Sequence, residues 1–226
     1  MGRLAVILGS NGLGPQGEDL TATAAEHGVL AVQRHGGPGG AYTLPHRIDH
    51  AANLSALAEQ GCDRVLAVGS VGSLRAGLPP GSLVCPHDFI ALQLGLSSLG
   101  DVRSHRTPGF DIDWRASFLA ACLSGGAPAV HGDGVYWQAI GPRFETPAEI
   151  RLMAAHAHVV GMTIASECIV AGELGLSYAA ICAVDNLANG LESEPLVIEG
   201  LERVRASNVA LLGDLLDAVL PRLSDG

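Results

Sequence analysis

The stretch GPRFETPAEI, residues 141–150, holds two carboxylates with different duties. Its second half starts a helix, with Thr146 at the N-cap, Pro147 at the first helical position and Glu149 at the third, which makes a capping box. Glu149 is thereby occupied. Glu145 lies just outside the cap, so a carboxylate on a fixed turn is left to accept hydrogen bonds from something else. Arg34-His35 ends an apolar run and enters GGPGGAYTLP. An arginine there holds an anion by paired donors, with the histidine adding a third, or the two form an exposed pair at a strand end. In GMT (161–163), Thr163 stands at the mouth of a helix, where a hydroxyl and free backbone N–H groups suit an anion. Thr163 as a simple cap fits the same residues. Asp185-Asn186 closes the apolar run SYAAICAV; it is a recognition pair, Asn offering both donor and acceptor, or a turn before LANG.

Other chemistries are excluded by residue type. The 226 residues contain no lysine, since all 13 basic residues are arginine. A Walker A loop and a Schiff-base nucleophile are therefore ruled out. Cys62, Cys85, Cys122, Cys168 and Cys182 show no CxxC spacing and lie in mostly apolar runs, as reduced thiols do. His131, His156 and His158 have no metal-ligand spacing with acids or cysteines, so no metal is expected. GLGPQG (12–17) formally matches the GxGxxG of dinucleotide binding after a strand. Pro15 interrupts it, however, and among 30 glycines it reads as a turn. A net charge of −10 without an arginine cluster speaks against nucleic acid as a partner. Charged residues at only 16% hint that subunit contacts cover part of the surface. MGRLAVIL does not read as a signal peptide, so none is expected, and no apolar run reaches the roughly 18 residues of a membrane helix. The expectation is a soluble cytoplasmic protein with no membrane partner.

These side chains need a frame. RLAVIL (3–8), VLAVQR (29–34), DRVLAVG (63–69), SLVCP (82–86), 130–141, HVVGM (158–162) and SYAAICAV (177–184) read as strands. Helices are expected at 46–61, 112–123, 147–156, 163–174 and about 197–220, the last with Leu201, Val204, Leu211, Leu212, Leu215 and Val219 on one stripe. Residues 88–112 read as irregular. Strands alternating with helices imply an α/β fold: one three-layer α/β/α domain over 1–226, with a mixed, largely parallel sheet covered on both faces. Ligands in such folds sit at the carboxyl ends of strands. Ser10 and Asn11, Arg34 and His35, Ser70, Glu145, Thr163, Asp185 and Asn186 all fall there.

GPRFETPAE followed by GMTIASE resembles the trimeric purine nucleoside phosphorylase and 5′-methylthioadenosine phosphorylase family. RHG with LPHRIDHAANL, the SVGSL turn and PPGSLVCPHDFI are similar to further elements of that family, so the likeness runs from residue 3 to about 190. It implies phosphorolysis: inorganic phosphate, a co-substrate, attacks the anomeric carbon of a purine nucleoside and releases base and pentose 1-phosphate. No cofactor or enzyme nucleophile is implied, and a homotrimer is.

By this resemblance Ser10, Asn11, Arg34, His35, Ser70 and Thr163 fall at phosphate positions. Met162 falls against the ribose and Phe144 beside the base. Glu145 accepts from N1–H and any 2-amino group of a 6-oxopurine. Asn186 lies near N7 and O6, with Asp185 next to it on the base side; Glu145 and Asn186 are the implied catalytic pair. Glu145 with Asn186 favours hypoxanthine or guanine. A register one residue earlier puts Asp185 in that place and favours a 6-amino purine. The sequence departs from the family at Asn11, where a hydroxyl is usual, in the longer GGPGG loop, and at Ser166, where the family has Pro before the retained Glu167. The implied activity is 6-oxopurine nucleoside phosphorolysis, on inosine, guanosine or a 5′-modified inosine such as 5′-methylthioinosine. Its rivals are a methylthioadenosine phosphorylase, a nicotinamide oxidoreductase built on GLGPQG, and a purine-binding protein with weakened turnover.

Overall fold

A computed structural model of the chain describes residues 2–10, 15–36, 41–191 and 198–224. Two long strands form its spine. β3 (Cys62–Ser73) runs parallel to β9 (Ser177–Leu187) for nearly its whole length, and its first part also pairs in parallel with β1 (Arg3–Leu8). β2 (Leu30–Gln33) flanks β1 in parallel. At its end β3 parts from β1 and takes β8 (Val159–Gly161) as an antiparallel neighbour. β7 (Val135–Gln138) and β5 (Asp88–Ile90) continue in parallel beyond β8. Across β9 lie β4 (Leu83–Val84), antiparallel, and then β6 (Val130–His131), parallel to β4. The sheet is therefore mixed and largely parallel, as the alternating pattern requires.

Residues 65–68 and 178–184 are buried throughout, the signature of strands covered on both faces. Leu4, Val6 and Leu8 face one helical layer with Leu66, Val68 and Ile181. That layer is α1 (Pro15–Glu26), α3 (Ile112–Gly125) and α6 (Ile198–Ser224), which contributes Leu212, Leu215, Val219 and Leu223. Ala5 and Ile7 turn the other way with Val65, Ala67 and Cys182. They pack on α2 (His50–Glu59) and α5 (Ile164–Glu173) through Leu54, Leu57, Ile164 and Cys168. α4 (Pro147–Ala154) closes a smaller cluster in which Ile150 and Met153 meet Trp137, Val160 and Ala188.

Four local expectations are corrected. Of GLGPQG, residues 15–17 belong to α1 rather than to a turn, because Pro15 takes the first helical position, where its missing N–H costs nothing; residues 12–14 lie outside the described residues. The helix expected from 46 starts at His50, with Asp49 as N-cap accepting from Ala52 N at 2.9 Å. The expected strand 130–141 is two strands, β6 and β7. The stretch 88–112, expected to be irregular, supplies the edge strand β5 and a short 3-10 turn at Val102–Ser104. All five cysteines are free and buried. Among the described residues no helix is long and apolar enough to cross a membrane, and no group of three His, Cys, Asp or Glu residues could hold a metal.

Candidate active site

The ends of β1, β2, β3, β8 and β9 open into one cavity of about 530 Å³. It brings together Ser10, Arg34, His35, Ser70, Phe144, Glu145, Met162, Thr163, Asp185 and Asn186. Asn11 lies outside the described residues, as do residues 37–40 of the GGPGG loop.

Arg34 and His35 are buried, at 3% and 5% exposure, which removes the exposed-pair reading. Arg34 lies across the end of β1, where a Cβ on Gly9 would come within 2.6 Å of its Nη1, so that position requires glycine. The guanidinium donates from Nε to Glu167 Oε1 at 2.6 Å, from Nη2 to Glu167 Oε2 at 3.0 Å and from Nη1 to Val68 O at 2.9 Å. One N–H remains on each terminal nitrogen, a pair able to grip two oxygens of one anion. Glu167, itself 1% exposed, also accepts from the Tyr178 hydroxyl at 2.7 Å. The His50 ring lies 3.8 Å from the same carboxylate.

His35 donates from Nδ1 to Thr43 O at 2.8 Å and stacks on Tyr42 with ring centroids 4.8 Å apart. Burial and the neighbouring Arg34 cation lower its pKa, against the pull of the Thr43 carbonyl. The ring is therefore neutral near pH 7, and its Nε2 carries a lone pair.

Thr163 is the N-cap position of α5, yet its side chain makes no cap bond. The free N–H groups expected at this helix start are already used. Tyr136 and Gln138, two apart on β7, lie beneath it. The Tyr136 hydroxyl accepts from Thr163 N at 3.2 Å and Ile164 N at 3.4 Å, and Gln138 Oε1 accepts from Ser166 N at 3.1 Å. Gln138 Nε2 donates in return to Ser166 Oγ at 2.5 Å. This buried exchange is what Ser166 makes possible and a proline there would not. For an anion, this corner offers the Thr163 hydroxyl rather than the helix amides.

At the opposite end the capping box forms as read: Glu149 Oε2 accepts from Thr146 N at 2.7 Å, and Thr146 Oγ1 from Glu149 N at 3.3 Å. Arg143 grips Glu149 at 2.8 and 2.9 Å, which with the cap holds its pKa at about 2. Glu145 is different. It is 8% exposed, and its Oε1 is buried without a hydrogen-bond partner. Burial raises its pKa. Asn189 Nδ2 holds the Glu145 backbone carbonyl at 3.1 Å, so the turn is fixed while the carboxylate is not satisfied. Phe144 beside it is half exposed on the cavity rim. Met162 lies against Gly141, which has a φ of +71° and where a Cβ would come within 2.5 Å of Met162 Sδ, so that position suits glycine.

A β-bulge resolves the 185–186 register. Val71 pairs with Val184 and Gly72 with Asn186, so Asp185 is the extra residue on β9. Its carboxylate accepts from Ser70 Oγ at 2.6 Å, Arg205 Nε at 2.9 Å and Asn208 Nδ2 at 2.8 Å. Asp185 thus lines the cavity but its acceptors are taken by protein donors. Asn186 donates one amide hydrogen to Leu187 O at 2.6 Å and keeps its carbonyl and a second hydrogen. Sequence reading missed Glu167, Tyr178, Arg205, Asn208 and Asn189 as parts of the site. Glu167 had a signal, a lone acid within IASECIV, since such a charge is buried only with a partner. The α6 residues had none.

Comparisons with known proteins place the chain in a family. The Archaeoglobus fulgidus protein named probable 6-oxopurine nucleoside phosphorylase is 42% identical over 74% of this chain and 68% of its own length. The Methanothermobacter thermautotrophicus protein named probable S-methyl-5′-thioinosine phosphorylase is 36% identical over 78% of this chain and 62% of its own, so the match spans somewhat under two thirds of that relative. The crystal structure of Schistosoma mansoni methylthioadenosine phosphorylase with adenine shares the fold, with a TM-score of 0.82 at 22% identity over all of this chain and 93% of that one. The family model described as "Phosphorylase superfamily" matches residues 6–221. With nearly its whole length matched by that model and its fold shared with a solved relative, the chain belongs to the phosphorylase superfamily.

Proposed function

We propose that this protein cleaves 6-oxopurine nucleosides with inorganic phosphate, releasing hypoxanthine or guanine and a pentose 1-phosphate. The observation that carries the reading is Glu145, a buried carboxylate with an unpartnered oxygen on the cavity wall. An uncompensated carboxylate persists where a ligand completes it. The N1–H of a 6-oxopurine, and the 2-amino group of guanine, are donors of the required kind. Adenine has no hydrogen on N1. The names of the 42% and 36% identical relatives support the same substrate class.

The two ends of the cavity then divide the work. Phosphate is held by the two remaining Arg34 N–H groups and the Thr163 hydroxyl, while neutral His35 accepts a hydrogen from a protonated phosphate oxygen at Nε2. A phosphate oxygen attacks C1′ as the C1′–N9 bond breaks, and the bond's electron pair moves onto the purine. Glu145 fixes the base by its N1 edge. Asn186, with an amide hydrogen and a carbonyl to spare, meets the O6 and N7 edge, where charge grows on the departing base. Bringing phosphate and C1′ together in one cavity supplies the rest. Phosphate is the co-substrate and no cofactor takes part. The working form is a cytoplasmic homotrimer of single-domain chains; the charged content of only 16% supports the subunit contacts alone.

The test is base release from inosine and guanosine with and without phosphate, followed by ultraviolet absorbance, with assay of pentose 1-phosphate. Both products must appear together and only with phosphate.

A further inference from the structure

Two segments close the cavity beyond the side chains assigned to base and phosphate above, one of them through Tyr42, which also stacks on His35. α6 contributes Arg205 and Val209, four residues apart and so on one helix face. The chain at 42–45 contributes Tyr42, Leu44 and Pro45. What remains of a nucleoside for this wall to meet is the ribose, whose C5′ arm is its only freely rotating extension.

That wall carries a cation. Arg205 Nε donates to Asp185 Oδ2 at 2.9 Å, and Asp185 is itself buried and held by Ser70 and Asn208. The bulge on β9 therefore fixes where Arg205 stands. Its two terminal amino groups have no hydrogen-bond partner among the described residues, and the side chain is 39% exposed. Burial raises the pKa of the Tyr42 phenol, and Arg205 is near enough to pull against it. A thioether laid on such a guanidinium strips water from it and returns only a weak acceptor. A hydroxyl or anionic oxygen returns a charge-assisted bond.

We propose that Arg205, set by Asp185, is a specificity-determining residue that selects nucleosides carrying an oxygen acceptor on C5′ over those carrying a thioether or no acceptor. The assignment rests on reading this cavity as a nucleoside phosphorolysis site.

The experiment measures kcat/KM for inosine, 5′-deoxyinosine, 5′-methylthioinosine and 2′-deoxyinosine, and KM for phosphate, in the wild type, Arg205→Met and Arg205→Lys. The wild type is expected to favour inosine over the 5′-deoxy and 5′-methylthio compounds by about 10- to 100-fold, the worth of one charge-assisted hydrogen bond. Arg205→Met should collapse that preference toward one, with Arg205→Lys in between and the inosine to 2′-deoxyinosine ratio unmoved. An inosine to 5′-deoxyinosine ratio that survives Arg205→Met overturns the assignment. So does a change confined to phosphate KM, which would put Arg205 at the anion end, or one confined to the 2′-deoxyinosine ratio, which would put it on a ring hydroxyl. A wild-type preference for 5′-methylthioinosine overturns it as well. Each of those outcomes leaves base release intact and sinks only the Arg205 assignment. Absence of phosphate-dependent release from all four compounds sinks the underlying reading and this one with it.

Discussion

Arg34 and Glu167 form a two-bond ion pair at the floor of the cavity, Nε to Oε1 at 2.6 Å and Nη2 to Oε2 at 3.0 Å, with both side chains almost wholly buried. The pair presents the outer N–H groups of Arg34 to an anion. Removing one partner leaves a buried charge uncompensated, which costs about 3–5 kcal/mol. Glu167→Gln should lower unfolding stability by that order in urea titrations. It should also raise KM for phosphate about tenfold or more, leaving hypoxanthine affinity, read by calorimetry, close to wild type.

Asp185 and Asn186 are neighbours with separate work. Because Asp185 accepts from Ser70, Arg205 and Asn208, Asp185→Ala should destabilise the fold by about 3 kcal/mol, as loss of hydrogen bonds to a buried charge does. It should not convert the enzyme to adenosine. A large gain in adenine release by Asp185→Ala, measured against inosine, would contradict the assignment of base reading to Glu145 and Asn186.

The Gln138–Ser166 exchange compensates for the absent proline. Ser166→Ala keeps the backbone N–H bond and strands the Gln138 amide hydrogen. A loss of about 1–3 kcal/mol in thermal unfolding is expected, the cost of one buried unpaired donor.

Glu145 makes a pH prediction with a definite sign. Burial raises its pKa in the folded chain above its value in the unfolded chain, so folding favours the protonated form. The group contributes nothing below the ordinary carboxylate pKa and destabilises progressively as pH rises through the raised value. Relative to wild type, Glu145→Gln should therefore have a higher Tm at pH 7 than at pH 4. In activity the sign is reversed. A protonated Glu145 cannot accept from N1–H through both oxygens, so kcat/KM for inosine should fall as pH drops through the raised pKa. The Gln variant should lack that acid limb.

How much of this was legible in the sequence varies from residue to residue. The capping box of 146–149 rests on contacts between near neighbours in sequence, and it is present down to both of its hydrogen bonds. The strands around 65–68 and 178–184 were legible because burial on both faces demands unbroken apolar runs. The short, broken strands β5 and β6 were not, since their pairing comes from distant partners. α1 was hidden by a proline that reads as a breaker inside a glycine-rich turn and is a starter at the first helical position. In the site, Arg34, His35, Glu145, Thr163 and Asn186 could be named from strand ends and motifs. That Arg34 would bind Glu167, 133 residues away, was not in any local pattern. Nor was the occupation of the α5 amides by Tyr136 and Gln138, or the bulge that points Asp185 to Ser70 and α6.

The central claim is that the buried carboxylate of Glu145 reads the N1 edge of the base. The most direct measurement is the ratio of kcat/KM for inosine to that for adenosine, with phosphate present, in the wild type and in Glu145→Gln. A wild-type ratio of about 10² or more is expected, from one or two hydrogen bonds to a charged group, with its collapse by at least tenfold in the variant. A wild type that releases adenine in preference to hypoxanthine, or a ratio that Glu145→Gln leaves unchanged, would contradict it.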